Sequence, residues 1–306
     1  MFDNAPSQGA RPRPLQQHPN FAAALRACGQ DPLLLHHPVP AVILRQRLGG
    51  RLPVAMLARA EPVLMRGMTR DWLADSGLAR TPLILSPDAP CATQLARLGA
   101  VPVMTPAWVA EIDLTQAKHD RRARLHQKWR NRLTRAEANK RLKLVVDTGA
   151  PSAEHWLFTA DRTLQHRRGF RNWPEALTLA YARENPGQTV LFTAKDGREE
   201  VAAMLFLRHG RAATYHIGHS TPAGRAVSAH ALILWRAACW FAEQGVARLD
   251  LGQIDTQHAA GLARFKLGSG AAPRPLGGTW LWWPPLGRSL GWLAACDRRR
   301  MQPVPR

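Results

Sequence analysis

The chain has 306 residues, 45% of them hydrophobic, and carries 42 Lys and Arg against 22 Asp and Glu, a formal net charge of +20. That length and apolar share fill one large core or two ordinary ones, so the protein is globular. The charge points to an anionic partner such as a nucleic acid, an acidic carrier protein, a phosphate-bearing cofactor or an anionic lipid, unless it is only the Arg- and Ala-rich background of the whole chain. Cys28, Cys91, Cys239 and Cys296 are scattered with no paired spacing and no His cluster, which indicates neither a disulfide framework nor a zinc site; a reducing cytoplasm is expected, with no metal.

Residues 1–19 begin "MFDNAPSQGARPRP", have no apolar secretion-signal run and read as a disordered arm. "PNFAAALRACGQ" predicts a short helix. "AVILRQRLGGRLPVAMLARA" predicts two strands joined by a Gly-Gly hairpin turn. A buried strand "TPLILS", a helix "CATQLARLGA" ending at Gly99 and a strand "VPVMT" follow, closing a first unit over 20–113.

At Leu114 the composition shifts. The basic segment from Lys118 to Lys143 predicts one helix with the apolar stripe Leu125, Trp129, Leu133 and Ala136, then the strand "LKLVV". Trp129 belongs to that stripe and reads as core. Helices are expected at Ala153 to Gln165 and at Pro174 to Arg183, with Pro174 in a first turn. "QTVLFTAK", "EVAAMLFLRHG" and "RAATYHIGHS" form an antiparallel meander around the turns "KDGRE" and "RHGR". The long helix "AVSAHALILWRAACWFAEQG" closes at Gly245 and leads into "RLDLGQIDTQHAAGLARFKLGSGAAPRPL".

That last stretch sets Asp250, Asp255 and Lys266 close to an apparently buried strand, as turn chemistry or as a substrate-facing strand end. A strand pair around "GGTWLWW" ends the second unit at residue 285, ahead of a basic tail over 286–306. Pro284, Pro285 and Arg288 argue against a spanning helix. Trp280, Trp282, Trp283 and Trp292 beside Arg288, Arg298, Arg299 and Arg300 fit an anchor to an anionic membrane, or a core strand followed by a basic tail.

Hairpin, strand, helix, strand thus occurs twice, in short form before Leu114 and in full after it. The fold class is α/β with mixed sheets, as two copies of one unit with the first trimmed.

The segments "LHQKWRNRLTRAE" (125–137), "ATYHIGHS" (213–220), "WFAEQGVARLDLG" (240–252) and "GLARFKLGSGA" (261–271) resemble the GNAT superfamily of acyltransferases, in particular its FemAB-like branch. Fem-type members contain two GNAT-like units, in keeping with the repeated order. The resemblance implies that the strand "AATYHIGHS" parts from its parallel neighbour "ARLDLG" and that the acyl donor enters the gap, where Gly218 and Gly252 allow close backbone approach. It implies a phosphate site at the next helix, with Gly224 and Arg225 placed to help, although "HSTPAGRAVSAH" departs from the usual GNAT phosphate loop.

It also makes Lys266 a residue that assists the chemistry, since Fem-type transferases have a Lys in the matching segment; a solvent-facing helix end is the other reading. Asp250 either orients a His, accepts a substrate ammonium or caps a loop. His216 and His219 alternate along their strand, so one of them at most is expected to face substrate, as a base or as a structural histidine. His258 could protonate a leaving group in the absence of the usual Tyr, since Tyr181 and Tyr215 are the only tyrosines. The first helix borders the acceptor side in this family, making Arg124 and Lys128 acceptor contacts together with Arg168, or else a solvated face.

The expected activity is transfer of an acyl group from acyl-CoA, acetyl-CoA or an acyl carrier protein to an amine, of small-molecule or peptidoglycan type. A Fem-type aminoacyltransferase using aminoacyl-tRNA and a silent binding module are the alternatives. The expected location is the cytoplasm, with peripheral membrane contact.

Overall fold

The structure, a computed structural model, describes residues 11–36 and 39–283. The described residues divide into two compact units, one built from 16–108 and 274–283, the other from 11–15 and 109–273. Among the described residues, no helix is long and apolar enough to cross a membrane.

The first unit contains α1 (Pro19–Ala27), β1 (Leu33–Leu35), β2 (Ala41–Leu48), β3 (Leu52–Ala60), α2 (Pro62–Gly67), α3 (Arg70–Asp75), β4 (Leu83–Pro87), α4 (Ala92–Leu98) and β5 (Val101–Met104). The β2–β3 hairpin turns through three residues, Gly49, Gly50 and Arg51, with both glycines at positive φ. Gly99 caps α4 in the left-handed region, as its position in the sequence predicts. β3 then crosses over through α2 and α3 to pair in parallel with β4.

The end of the expected arm is ordered. Leu15 is buried, and the Gln17 amide donates to the carbonyls of Val42 and Ala58 at 3.0 and 2.7 Å while its oxygen accepts from the Val42 N–H, joining β2 to β3.

The second unit takes β6 (Trp108–Asp113), α5 (Lys118–Ala123), α6 (Gln127–Ala138), β7 (Leu142–Asp147), α7 (Trp156–Arg168), α8 (Glu175–Glu184) and the meander β8 (Thr189–Asp196), β9 (Glu199–His209) and β10 (Ala212–Ser220). It continues with α9 (Pro222–Ala226), α10 (Ala229–Glu243), β11 (Arg248–Ile254), α11 (Ala260–Gly268) and β12 (Ala272–Pro275). Its sheet order is β12-β6-β11-β10-β9-β8-β7. β8 and β9 are buried on both faces, so they read as continuous apolar runs. Val190, Phe192, Met204 and Phe206 face the core built on α6 and α10, whereas Leu191, Ala203 and Leu205 pack with Leu157 and Phe158 of α7.

Several expectations change. The basic segment is two helices, not one: Leu125 lies buried in the break, the His126 ring caps α6, and the His126 N–H donates to the Gly268 carbonyl at 3.0 Å. Pro174 caps α8 instead of opening its first turn. β6 has no counterpart in the sequence reading, because Glu111 breaks an otherwise apolar run; the carboxylate is buried and meets Arg248 at 3.6 Å and Arg11.

The expected terminal strand pair does not form. β12 lies beside β6, while β13 (Thr279–Trp282) inserts between β4 and β5. The second unit therefore closes at Pro273, not at 285. Trp280 and Trp282 are buried in the first unit, with indole N–H groups donating to Gly277 and Leu98 carbonyls at 2.9 and 3.1 Å, so neither is a membrane anchor. Trp292, Arg288 and Arg298 to Arg300 lie outside the described residues.

Candidate functional site

β10 and β11 run parallel and pair over three positions, Ala212 with Arg248, Ala213 with Leu249 and Thr214 with Asp250. Beyond Thr214 the pairing ends although both strands continue, β10 to Ser220 and β11 to Ile254. β10 stays hydrogen-bonded to β9 on its other side and carries a bulge there, with His216 as the extra residue between Tyr215 and Ile217. The expected parting of these strands is thus present, opening at the residue pair Thr214 and Asp250.

Lys266 and Asp250 lie on this opening. Asp250 is buried on β11 and its Oδ1 accepts the Gly252 N–H at 2.7 Å. Lys266 is 6% exposed, and its Nζ donates to the Gln253 carbonyl at 2.8 Å. Burial pushes the Lys266 ammonium down to about 8, against the opposing pull of Asp250. Lys266 is therefore an inward-facing cation, not a solvent-facing helix end. Gly252, at φ +75°, needs its glycine for the turn of β11; a Cβ there would lie 3.8 Å from the Lys266 Nζ. Asp255 answers to turn chemistry instead: half-buried, it accepts the N–H groups of Gln257 and His258 at 2.9 and 2.8 Å and meets the His258 ring at 3.1 Å. His258 is exposed.

The two histidines of β10 do not diverge. The bulge turns His216 to the side of Ile217, and both His216 and His219 meet the segment running from α7 to α8. His216 Nε2 and Thr178 Oγ1 are 2.7 Å apart, and its ring packs on Trp173 at 5.0 Å. His219 meets the edge of Trp156 at 6.0 Å. Burial pushes His216 down to about 4. His219 is lowered by burial and by Arg225, with Asp161 pulling the other way, so both rings are neutral at pH 7. Tyr215 turns to the opposite face, where it covers Gly218; a Cβ on Gly218 would lie 2.4 Å from the Tyr215 hydroxyl.

The loop after β10 is held by bonds within itself and to β9, while the buried Ser220 hydroxyl beside Gly224 has no partner among the described residues. Thr221 caps α9 and accepts the Gly224 N–H at 3.1 Å. Gly224 is a glycine because a Cβ would lie 2.2 Å from the Val201 carbonyl oxygen. Arg225 donates to the Ser220 carbonyl at 2.5 Å. Of the three expected acceptor contacts, Arg124, Lys128 and Arg168 are all exposed. Neighbouring basic residues are structural: Arg121 is buried and donates to the Ala238 carbonyl at 2.7 Å, and Arg122 makes two hydrogen bonds to Glu137 at 2.9 and 2.6 Å while its guanidinium lies 5.4 Å from the centre of the Trp235 ring.

Sequence reasoning missed two groups here. His230, in the first turn of α10, packs on Phe265 at 6.1 Å, hydrogen-bonds backbone of His219 and Ala203 and is pushed down to about 4 by burial. Asp161 lies on the sheet-facing side of α7. Its spacing from Leu157 and Phe158, four and three residues, was the available signal.

An antiparallel meander whose last strand pairs in parallel with the next across a helix, and then parts from it, is the arrangement of a GNAT fold. Residues 121–270, which lie in the second unit, match the family described as "Acetyltransferase (GNAT) domain", so this unit carries a GNAT-type acyltransferase domain. Among solved structures, FemX shares 12% identity at a TM-score of 0.70, with 91% of this chain and 94% of that one covered. The C-terminal domain of a putative lysylphosphatidylglycerol synthetase from Agrobacterium fabrum shares 14% identity at 0.51, with 92% of each chain covered. L-PGS from Bacillus licheniformis shares 13% identity at 0.51, with 96% of this chain and 100% of that one covered. Among curated proteins, none matches the chain by sequence.

Proposed function

We propose that the second unit transfers an acyl group from an ester or thioester to an amine, with the donor carbonyl lodged where β10 and β11 part. The observation that carries this reading is the Lys266 ammonium, buried on α11 and held at the Gln253 carbonyl beside Asp250. The amine nitrogen attacks the carbonyl carbon to form the C–N bond, and negative charge develops on the carbonyl oxygen. Lys266, mostly protonated below pH 8, and backbone N–H groups of the parted strands stabilise that charge. Neutral His219 accepts the proton lost by the amine. Collapse breaks the C–O or C–S bond, and the departing oxygen or sulfur takes up a proton.

For the donor, the occupied loop favours the Fem-type reading. Gly224 spends its N–H on Thr221 and owes its glycine to packing against Val201, so the loop offers little to a coenzyme pyrophosphate. An aminoacyl-tRNA suits the net charge of +20 and needs no such cradle. The match to an acetyltransferase family favours the second reading, a donor of acyl-CoA, acetyl-CoA or acyl carrier protein. The acceptor is a small-molecule or peptidoglycan-type amine, with Arg124, Lys128 and Arg168 as exposed contacts for its anionic parts, and the reaction belongs in the cytoplasm.

A thermal-shift titration with acetyl-CoA, longer acyl-CoAs and bulk tRNA at controlled salt separates these donors, because a ligand of the folded state raises the melting temperature. Stabilisation by tRNA alone, persisting at moderate salt, supports the Fem-type donor. Saturable stabilisation by an acyl-CoA replaces it with the thioester donor, and no stabilisation by either contradicts both.

A further inference from the structure

Asp161 lies on the inward stripe of α7, where its neighbours along the helix, Leu157 and Phe158, are buried against the sheet and Leu164 and Gln165 are half-buried. A carboxylate is a costly choice at such a position unless something cationic meets it. Among the described residues no Arg or Lys pairs with it, in a chain that has 42 of them. Arg162, its neighbour on the helix, is committed to Glu175 instead. Burial raises the Asp161 carboxyl above the usual carboxylate range, so the position is unfavourable to the charge it carries.

The carboxylate is nevertheless held firmly. Gln165 Nε2 donates to its Oδ2 at 2.7 Å, and the Asn172 side chain also hydrogen-bonds it. Gln165 is itself fixed, since its Oε1 accepts the Asn172 N–H at 2.8 Å, and Asn172 Oδ1 accepts the Trp173 N–H at 2.9 Å. This network joins Asp161 to Trp173, which packs on His216, while Trp156, at the start of the same helix, packs on His219. The charged and titratable groups acting on this corner from β10 and its following loop are His219 and Arg225, with Tyr215 on the strand itself. A preorganised carboxylate, held by two side-chain amides and facing a neutral imidazole, is chemistry that recognises an ammonium group.

We infer that Asp161 is the ammonium-binding residue of the acceptor subsite, so that the enzyme takes its acceptor as a protonated primary amine held between α7 and the end of β10. This rests on the acyl-transfer reading and deepens it. Neutral His219 then stands beside the bound ammonium, where it can take the proton that must leave before attack.

The test is ligand-observed NMR on the full chain with lysine amide and glucosamine as probes, each paired with its uncharged N-acetyl counterpart (acetylated on the side-chain amine in the case of lysine amide). The expected result is binding of at least one charged probe, at least tenfold weaker binding of its acetylated form, and an equal loss in Asp161→Asn. Glu175→Gln serves as a folded control that keeps binding. Unchanged affinity in Asp161→Asn overturns the proposal, as does equal binding of charged and acetylated probes or no binding of either. A shift of the His219 titration in Asp161→Asn with amine binding intact would make Asp161 a positioning residue and also overturn it. Donor titrations on the same variant keep the two readings apart: saturable donor binding with amine binding unchanged sinks this inference alone.

Discussion

The two units solve the same strand arrangement in opposite ways. In the first, β3 and β4 run parallel and pair from Ala55 with Leu83 to Ala60 with Pro87, interrupted only by a bulge at Arg59. At the point where the second unit opens, the first is pinned. Arg59 Nε donates to Asp88 Oδ1 at 2.7 Å, Arg274 Nη2 reaches Asp88 Oδ2 at 3.1 Å, and the Ser86 and Thr279 hydroxyls lie 3.3 Å apart. In the second, pairing stops after three positions, and the buried carboxylate Asp250 accepts the Gly252 N–H and lies near Lys266, whose ammonium rests on the Gln253 carbonyl. A carboxylate saturated by two guanidinium groups binds strands together. Where the second pair of strands parts, a buried Lys takes the place of such a guanidinium clamp.

The largest expected effect breaks the open site. Lys266→Met should lower turnover by roughly 100-fold or more, the usual scale for losing an oxyanion-stabilising group. Asp250→Asn should lower it by roughly tenfold or more, since such supporting partners typically act on that scale. Melting curves should show both variants folded, and unchanged rates in both would remove these residues from the site. Second comes the pinned site: Asp88→Ala leaves Arg59 and Arg274 without their shared carboxylate and should cost about 3–5 kcal/mol, read by urea unfolding, with little change in turnover per folded molecule. A loss of turnover at full stability would erase the contrast between the units.

Gly224→Ala should cost about 1–3 kcal/mol by forcing a Cβ against the Val201 carbonyl, whether or not a donor is present. If stability holds and only donor affinity falls, the loop is a phosphate site after all. The smallest effect is on pH dependence. The folded pKa of Lys266, about 8, lies below the unfolded value of 10.5, so the unfolded chain binds more protons between these values and stability should rise from pH 8 to 10.5. Turnover should instead fall above pH 8 as the ammonium is lost. Lys266→Met should abolish both trends, and a turnover that rises through pH 8 would make Lys266 a base.

The open site was legible where chemistry leaves a mark on local sequence. Lys266 and Asp250 stood out as charges beside an apolar strand, and the repeated order of hairpin, strand, helix and strand foretold both sheets. What was hidden is non-local. The exchange that sends β13 to the first sheet, and gives β6 a buried Glu111 that needs Arg248, depends on partners far along the chain. The bulge at His216 is a single-residue event that reverses a side-chain assignment based on strict alternation. Asp161 was readable by helical spacing, but only once α7 was known to place that stripe on the sheet.

Hydrogen–deuterium exchange of the full chain with and without saturating donor tests the central claim most directly. The donor is whichever of tRNA or acyl-CoA stabilises the protein. The account predicts slowed exchange over 214–220 and 250–254 with no change over 55–60 and 83–87. Protection confined to the first unit, or none in the second at saturation, would contradict it.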